Sequence, residues 1–201
     1  MTGLREEHKR STRRALEDAA LRLFASDGYE ATSAGAIAQA AGVTERTFFR
    51  YFATKDEVLT PDREERQARL AAEVAAVAGR TGDGRTALQV AASALVAIAP
   101  DFEAERDIML LRRRAAVTSP VLRGRLYDAV HTWQRTLAAA LVGAGFGELE
   151  SEVTAEAAIA VWQGAITRWL ADDSGSLAER LGAAYGVIDG RWDLPAVVST
   201  T

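Results

Sequence analysis

The sequence predicts an all-α fold, and three observations support that prediction. Alanine dominates the 201 residues and there are only 4 prolines, a composition that favours helices. Apolar residues recur at the three- and four-residue spacing of amphipathic helices. No alternating run has the length that a β-strand needs. Because 48% of the residues are apolar, the chain can bury a substantial core, and we do not expect general disorder.

Residues 4–27 are predicted to form the first helix, which Gly28 ends. Its apolar stripe consists of Ala15, Leu16, Ala19, Ala20, Leu23 and Phe24. Its N-terminal part carries a run of basic residues, namely Arg5, Lys9, Arg10, Arg13 and Arg14. This run is either a solvated helix face or, because of the motif that follows it, a set of contacts to DNA phosphates.

The stretch 32–55 predicts two short helices joined by a tight turn. Thr32 or Ser33 can cap the first helix, whose apolar face is Ile37, Ala38 and Ala41. Gly42 can adopt the positive φ of a sharp turn, and Thr44 suits the N-cap of the second helix. In that helix the inward residues are Phe48, Tyr51 and Phe52, and the outward residues are Glu45, Arg46, Thr47 and Arg50. The pattern is typical of a helix-turn-helix that binds the major groove, although a plain helical corner shares it.

The rest of the chain is predicted to be a helical body. Thr54 and Glu57 have the spacing of a capping box that begins a fourth helix, which Pro61 interrupts and Thr60 restarts. Later helices are expected at 86–99, which Pro100 ends, and at 101–117, from 119 onward, at 150–172 and at 176–188. The apolar helix at 86–99 should be central and buried. Residues 190–201 are predicted to be a disordered tail.

Composition excludes several classes of function. The chain has no cysteine, so disulfides and thiolate metal sites are excluded, and His131 has no partner at metal-site spacing. We predict no cofactor. The charged N-terminus does not have the pattern of a signal peptide, and no apolar run reaches the roughly 18–20 residues that span a bilayer. A soluble cytoplasmic protein is the expectation.

The net charge of −4 divides into +2 for residues 1–55 and −6 for the remainder, which suits a protein that presents one end to a polyanion.

The N-terminal residues closely resemble the DNA-binding domain of TetR-type transcriptional regulators. The matching pieces are Ala19-Ala20, Leu23-Phe24, Gly28-Tyr29, Thr32-Ser33, Ile37-Ala38, Ala40-Ala41-Gly42-Val43, Thr47-Phe48, Tyr51-Phe52 and Lys55, all at ungapped spacing. The end of the chain, from Trp169 to Asp172 with a short last helix, looks like the actinobacterial branch that includes mycofactocin-system regulators.

The resemblance implies nine to ten helices in two functional domains and a tail. Residues 1–55 would bind DNA, residues 56–189 would bind a small-molecule inducer and dimerise, and residues 190–201 would be the tail. Helices four to seven would enclose the inducer, and helices eight and nine would form the bundle of a homodimer. The dimer would bind a near-palindromic operator, most commonly as a repressor, and the inducer would release it by population shift.

The resemblance also implies roles for individual residues. The phosphate-contacting positions are Thr32, Ser33, Thr44, Tyr51 and Lys55. The candidates for base edges are Arg46, Thr47 and Arg50, of which Arg46 can bind guanine through two hydrogen bonds. Phe49 stands where the family usually has tyrosine, which leaves an apolar contact with sugar or a thymine methyl. Arg46 stands where glycine is frequent, so the target sequence cannot be borrowed from relatives.

The body has weaker candidates. Those for the inducer pocket are Leu95, Met109, Arg113 and Trp133, and those for dimerisation are Ala157, Val161, Gly164, Trp169 and Leu181. The aromatic residues among them fit core packing equally well. Two other classes compete with a regulator, an enzyme and a helical adaptor that binds protein. The sequence has no glycine-rich phosphate loop and no His-Glu-x-x-His motif, and salt-dependent binding to DNA would separate a regulator from both classes.

Overall fold

A computed structural model describes residues 2–60, 63–79, 84–172 and 174–189. In these residues the chain forms nine α-helices and one short 3-10 turn, with no strand, so the predicted all-α class is confirmed. The helices are α1 (Thr2–Ser26), α2 (Ala34–Ala40), α3 (Glu45–Tyr51), α4 (Arg63–Gly79), α5 (Ala87–Glu103), α6 (Arg106–Thr118), α7 (Pro120–Gly143), α8 (Glu148–Ala171) and α9 (Leu177–Asp189). The 3-10 turn (Lys55–Leu59) lies between α3 and α4.

The chain divides into two compact units, each built from two stretches of sequence. The first unit contains Met1–Glu65 and Glu105–Thr132, and the second contains Arg66–Ala104 and Trp133–Thr201. The sequence analysis divides the chain by function, between a DNA-binding part that ends at residue 55 and a body that begins at residue 56. The two units in the structure are defined by which residues pack together, so the two divisions differ. The first unit therefore includes α6 and the first half of α7 as well as the three N-terminal helices.

The first unit is organised around α1, which packs against α2, the 3-10 turn and α6. Its core is made of side chains that apolar spacing places on the inner helix faces. The fully buried members include Leu16, Leu21, Phe24, Ile37, Phe48 and Leu122. Ala15, which the sequence places on the apolar stripe of α1, is exposed, and Leu21 lies inside instead.

The second unit has α5 at its centre, as the sequence predicts, packed against α8 and α9. Ala87, Ala91 and Leu95 lie on its buried face. Thr86 begins the helix with a capping box, because its hydroxyl accepts the Gln89 N–H and the Gln89 side chain accepts the Thr86 N–H. This reciprocal pair satisfies two backbone groups at the helix start.

One predicted helix end and one predicted capping box are wrong. Pro100 does not end α5, which continues to Glu103, because proline removes one backbone hydrogen bond and the Ala104 N–H still donates to Pro100 O at 3.1 Å. The predicted capping box at Thr54 does not form, since the Thr54 side chain makes no capping bond. The Glu57 carboxylate instead accepts the Ala53 N–H at 2.7 Å.

Some predictions fall on residues outside the described ranges. These are the break at Pro61 and the tail at 190–201. Within the ranges described, no single helix is long and apolar enough to cross a bilayer. Only α5 and α6 taken together would be long and apolar enough, and they are two separate helices with a break at Ala104 and Glu105.

Candidate nucleic-acid interface

The turn between α2 and α3 has the geometry that the sequence predicts. Gly42 has a φ of 71°, a left-handed conformation that is costly for residues with a Cβ. The chain reverses there through two backbone hydrogen bonds, from Gly42 N to Gln39 O and from Val43 N to Ala38 O, at 3.0 and 2.9 Å. Ala38 is buried at the crossing of the two helices. The stretch is therefore a closed helix-turn-helix corner.

Both short helices begin with a side-chain cap. The Ser33 hydroxyl accepts the Ala36 N–H at 3.1 Å, and the Thr44 hydroxyl accepts the Thr47 N–H at 3.2 Å. Ser33, and not Thr32, is thus the cap of α2. The Thr32 hydroxyl donates to Gly28 O at 2.8 Å and its side chain is buried. Thr32 therefore shapes the link from α1 to α2 from within.

Helix α3 presents a polar face with one exposed ring. Arg46 and Arg50 are exposed, and Thr47 is partly buried with its hydroxyl 3.0 Å from that of Thr44. Phe49 is 52% exposed and its ring lies edge-on against the buried ring of Phe48, with centroids 5.4 Å apart. The predicted outward and inward faces are both present, since Phe52 is buried as well.

Two aromatic rings of this corner lie beside guanidinium groups. The Arg50 guanidinium lies 5.2 Å from the ring centroid of Tyr51, and the Arg13 guanidinium lies 5.3 Å from that of Phe52. Arg13 also pairs with Glu17 at 3.5 Å. Of the basic run on α1, Arg13 is thus engaged by the protein. Lys9, Arg10 and Arg14 lie on the exposed surface of the helix.

The ammonium group of Lys55 is held by the protein's own backbone. Lys55 Nζ donates to Tyr29 O at 2.6 Å and to Thr32 O at 2.9 Å. It also lies 4.0 Å from the centroid of the Tyr29 ring. Two of its three N–H groups are therefore used by the link between α1 and α2.

The next residue, Asp56, carries the opposite charge and binds elsewhere in the first unit. Arg125 Nε donates to Asp56 Oδ2 at 2.6 Å, and the Tyr29 hydroxyl lies 3.4 Å from Asp56 Oδ1. Burial raises the pKa of Tyr29, and the Asp56 charge raises it further. The sequence analysis missed the contact between Arg125 and Asp56, because no local pattern relates a residue in α7 to the residue that follows the helix-turn-helix.

A second ionic cluster joins α1 to α6. Arg112 lies between two carboxylates, 3.8 Å from Glu17 and 3.6 Å from Glu105, and its side chain is 12% exposed. Arg112 therefore has a structural partner on each side. Its neighbour Arg113, which the sequence puts forward for the inducer pocket, is exposed.

The other pocket candidates differ in burial. Leu95 is fully buried on α5, and Met109 is partly buried on α6. Trp133 is partly buried, and its ring lies edge-on to Phe102 with centroids 5.8 Å apart. Phe102 makes the same kind of contact with Trp162, at 5.0 Å. Leu95 and Trp133 belong to the second unit, and Met109 and Arg113 belong to the first.

A groove of about 610 Å³ lies between α5 and α9 and contains none of the predicted pocket residues. One wall is α5, with Leu88, Ala92 and Val96. The other wall is α9, where two glycines one turn apart leave room. Among the residues that the structure describes, no three His, Asp or Glu side chains come together as metal ligands would.

The dimerisation candidates fall into two groups. Ala157 and Gly164 are exposed on α8, and Val161 is partly buried beside them. Trp169 and Leu181 are 4% and 0% exposed within the single subunit. Their side chains pack in the subunit's own core, which leaves almost no surface of either for a partner.

Comparisons with known proteins agree with the corner described above. The family model of bacterial regulatory proteins of the tetR family matches residues 16–60. The model of the C-terminal domain of LmrA/YxaF-like transcriptional regulators matches residues 85–182. The chain belongs to the TetR family. The resemblance drawn from the N-terminal residues is thereby confirmed.

Relatives and solved structures extend this result. A protein named as a mycofactocin biosynthesis transcriptional regulator, MftR of Mycobacterium tuberculosis, is 29% identical over 177 residues, which are 86% of this chain and 87% of the relative. The regulator TcmR of Streptomyces glaucescens is 53% identical over 60 residues, 29% of this chain and 26% of that one. The repressor FadR of Thermus thermophilus, solved with lauroyl-CoA, has the same fold, with a TM-score of 0.57, 24% identity and coverage of 94% and 100%.

Proposed function

We propose that this TetR-family regulator is a homodimeric repressor that binds a near-palindromic DNA operator in the cytoplasm and leaves it when a small molecule binds. The observation that supports this proposal is the capped helix-turn-helix, in which α3 exposes Arg46, Phe49 and Arg50 on one side and buries Phe48 on the other. A recognition helix needs such a face to reach base edges.

The contacts to DNA follow from the positions of these side chains. Arg46, Thr47 and Arg50 would contact base edges, with Arg46 donating two hydrogen bonds to guanine. Phe49 would cover a sugar or a thymine methyl. The phosphate contacts would come from Ser33, Thr44 and Tyr51. Thr32 would act through the shape of the link before α2, since its hydroxyl donates to Gly28 O and its N–H to Tyr29 O.

The surface that would form the dimer lies on α8 and α9. The outward face of α8 carries an apolar and small-residue stripe made of Leu149, Val153, Ala157, Ala160 and Gly164. On α9 the exposed residues include Ala183, Gly186 and Val187. Leu149, Val153 and Val187 are 74%, 60% and 56% exposed, which is unusual for large apolar side chains and is typical of a surface that a second copy covers.

The inducer would contact the aromatic residues of the second unit. Trp133 keeps part of its surface free beside Phe102, and the Arg66 guanidinium lies 5.2 Å from the Phe102 ring centroid. Flat apolar surface beside a cation suits an apolar molecule with a polar or anionic end. Lauroyl-CoA, with which the Thermus thermophilus repressor was solved, is a reasonable first probe.

The decisive experiment measures binding to the DNA that precedes the chain's own reading frame. Wild-type protein should bind this duplex with an affinity that falls steeply as salt rises, since phosphate contacts release counterions. Arg46→Ala together with Arg50→Ala should abolish the preference for this duplex over one of shuffled sequence. A folded dimer that binds neither this duplex nor any member of a random duplex pool would overturn the proposal, and an adaptor function would then be favoured.

A further inference from the structure

The ammonium of Lys55 occupies a socket made by the link between α1 and α2. The two carbonyl groups that it binds, those of Tyr29 and Thr32, belong to residues three apart, and the Thr32 N–H also donates to Tyr29 O at 3.3 Å. The Tyr29 ring lies beside the same ammonium at 4.0 Å. A charge held at these distances by two carbonyls and a ring is largely satisfied without DNA.

The socket also fixes the direction of the peptide group that precedes α2. In a trans peptide the C=O and the following N–H point in opposite directions. Because Thr32 O points to Lys55, the Ser33 N–H points away from it. No residue in the described part of the chain accepts a hydrogen bond from this N–H.

We infer that Lys55 is a positioning residue for the DNA contact at Ser33, and is not itself a contact to phosphate. The inference rests on the proposed function, since it assumes that the corner binds DNA. It changes the role that the family resemblance implies for this position. Lys55 holds two carbonyls inward, so that the N–H of Ser33 remains available on the outer side of the link, beside the Ser33 hydroxyl, which can still donate.

The salt dependence of DNA binding separates the two roles of Lys55. The affinity falls as salt rises, and each protomer that loses a contact to phosphate should make the slope of log K against log salt less steep by about 0.9. Lys55→Met should weaken binding about tenfold, through the displaced link, and should leave the slope unchanged. Arg50→Met is the matched control, because it removes an exposed cation that the proposed function assigns to base edges. It should relax the preference for the selected duplex, whereas Lys55→Met should keep that preference.

A second variant tests the shape of the socket. Arginine binds phosphate at least as well as lysine does, so Lys55→Arg would keep full affinity if the residue contacted DNA. Both carbonyls converge on one nitrogen, at 2.6 and 2.9 Å, and the larger planar guanidinium should not fill that site without moving the link. We therefore expect Lys55→Arg to lose most of the affinity that Lys55→Met loses. Ile108→Val in the core of the same unit controls for lost stability, and it should bind DNA as the wild type does.

A measurement on the wild-type protein completes the test without any variant. In the complex with the selected duplex, the 15N resonance of the Lys55 ammonium should show no coupling to 31P. Such a coupling, a fall in slope with Lys55→Met, or full affinity in Lys55→Arg would each overturn the inference. If the wild type bound no DNA at all, the proposed function would fail first, and the two failures are therefore distinguishable.

Discussion

Arg125 Nε lies 2.6 Å from Asp56 Oδ2, so an ion pair joins the first half of α7 to the 3-10 turn that follows the recognition helix. Asp56 is buried, whereas the side chain of Arg125 is 54% exposed. The pair fastens a helix of the body to the residue next to Lys55.

Removing the charge of Asp56 should loosen this attachment. We expect Asp56→Asn to lower the free energy of unfolding by about 1–2 kcal/mol, because a buried acceptor loses a charged hydrogen bond. Urea denaturation measures the change. Arg123→Gln removes an exposed arginine two residues from Arg125 and should cost less than about 0.5 kcal/mol. Equal losses in both variants would show that the ion pair contributes nothing of its own.

The base contact of Arg46 gives a prediction about sequence preference. Arg46→Ala should relax the preference at one base pair per half-site and reduce discrimination there by about 1–3 kcal/mol. Selection from a random duplex pool, carried out in parallel with wild type and variant, would show the change as the loss of one column of preference. An unchanged selected sequence would mean that Arg46 does not contact a base edge.

The turn glycine and a nearby helical glycine should respond in opposite ways to alanine. Gly42 has a φ of 71°, so Gly42→Ala should lower stability by about 1–2 kcal/mol although no atom obstructs a Cβ there. Gly35 is helical, and Gly35→Ala should be neutral or raise stability by up to about 1 kcal/mol, since its Cβ would make only ordinary contacts, with the end of the Glu45 side chain at 3.5 Å and Ser33 Oγ at 3.8 Å. Thermal unfolding followed by circular dichroism compares the two. A stable Gly42→Ala variant would show that the turn does not depend on this conformation.

The proposed dimer surface can be tested with two exposed valines. Val153 lies on the stripe of α8 and is 60% exposed, whereas Val117 lies on α6 and is 70% exposed. Val153→Glu should shift the protein to monomer in sedimentation equilibrium, because it would bring two like charges into the proposed two-fold interface. Val117→Glu should leave the dimer intact. Monomer formation by both variants, or by neither, would place the interface elsewhere.

The connection between α8 and α9 should respond to acid. Hydrogen bonds from Arg180 and Ser174 lower the pKa of Asp172 from 3.8 to about 2. A carboxyl group whose pKa is lowered in the folded protein stabilises the fold at pH values above its ordinary pKa. That stabilisation is lost as the pH falls from about 4 to about 2. The effect should be small, since Asp172 is exposed. Melting temperatures should therefore fall less steeply over this range in Asp172→Asn than in the wild type, whereas Asp128→Asn on α7 should follow the wild-type curve.

The reader motif could be predicted from sequence because its determinants are local. Gly42 adopts the positive φ of the turn, and Thr44 caps the helix that follows it. Phe48 and Phe52 are four residues apart, which is the spacing of one helix face. The role of Lys55 could not be predicted in this way. The family resemblance implied a contact to phosphate, and only the fold brings the carbonyls of Tyr29 and Thr32 to its ammonium group.

Burial in the C-terminal body was harder to predict than helix positions. Apolar spacing identified α5 as central, but it could not tell which face of α8 packs inside the subunit. Trp169 therefore looked like an interface residue, although it is buried within one chain. Pro100 shows a related difficulty, since a proline near a helix end removes one hydrogen bond without stopping the helix.

The first unit has a consequence for synthesis, because it is assembled from residues 1–65 and 105–132. Ile108, Ala115 and Leu122 supply part of the core around Phe24 and Phe48. During translation the recognition helix can form its turn early, but its core stays incomplete until α7 has left the ribosome. A nascent chain shorter than this should be sensitive to protease throughout its N-terminal region. A fragment that contained only the helix-turn-helix region would lack the core residues that α6 and α7 supply.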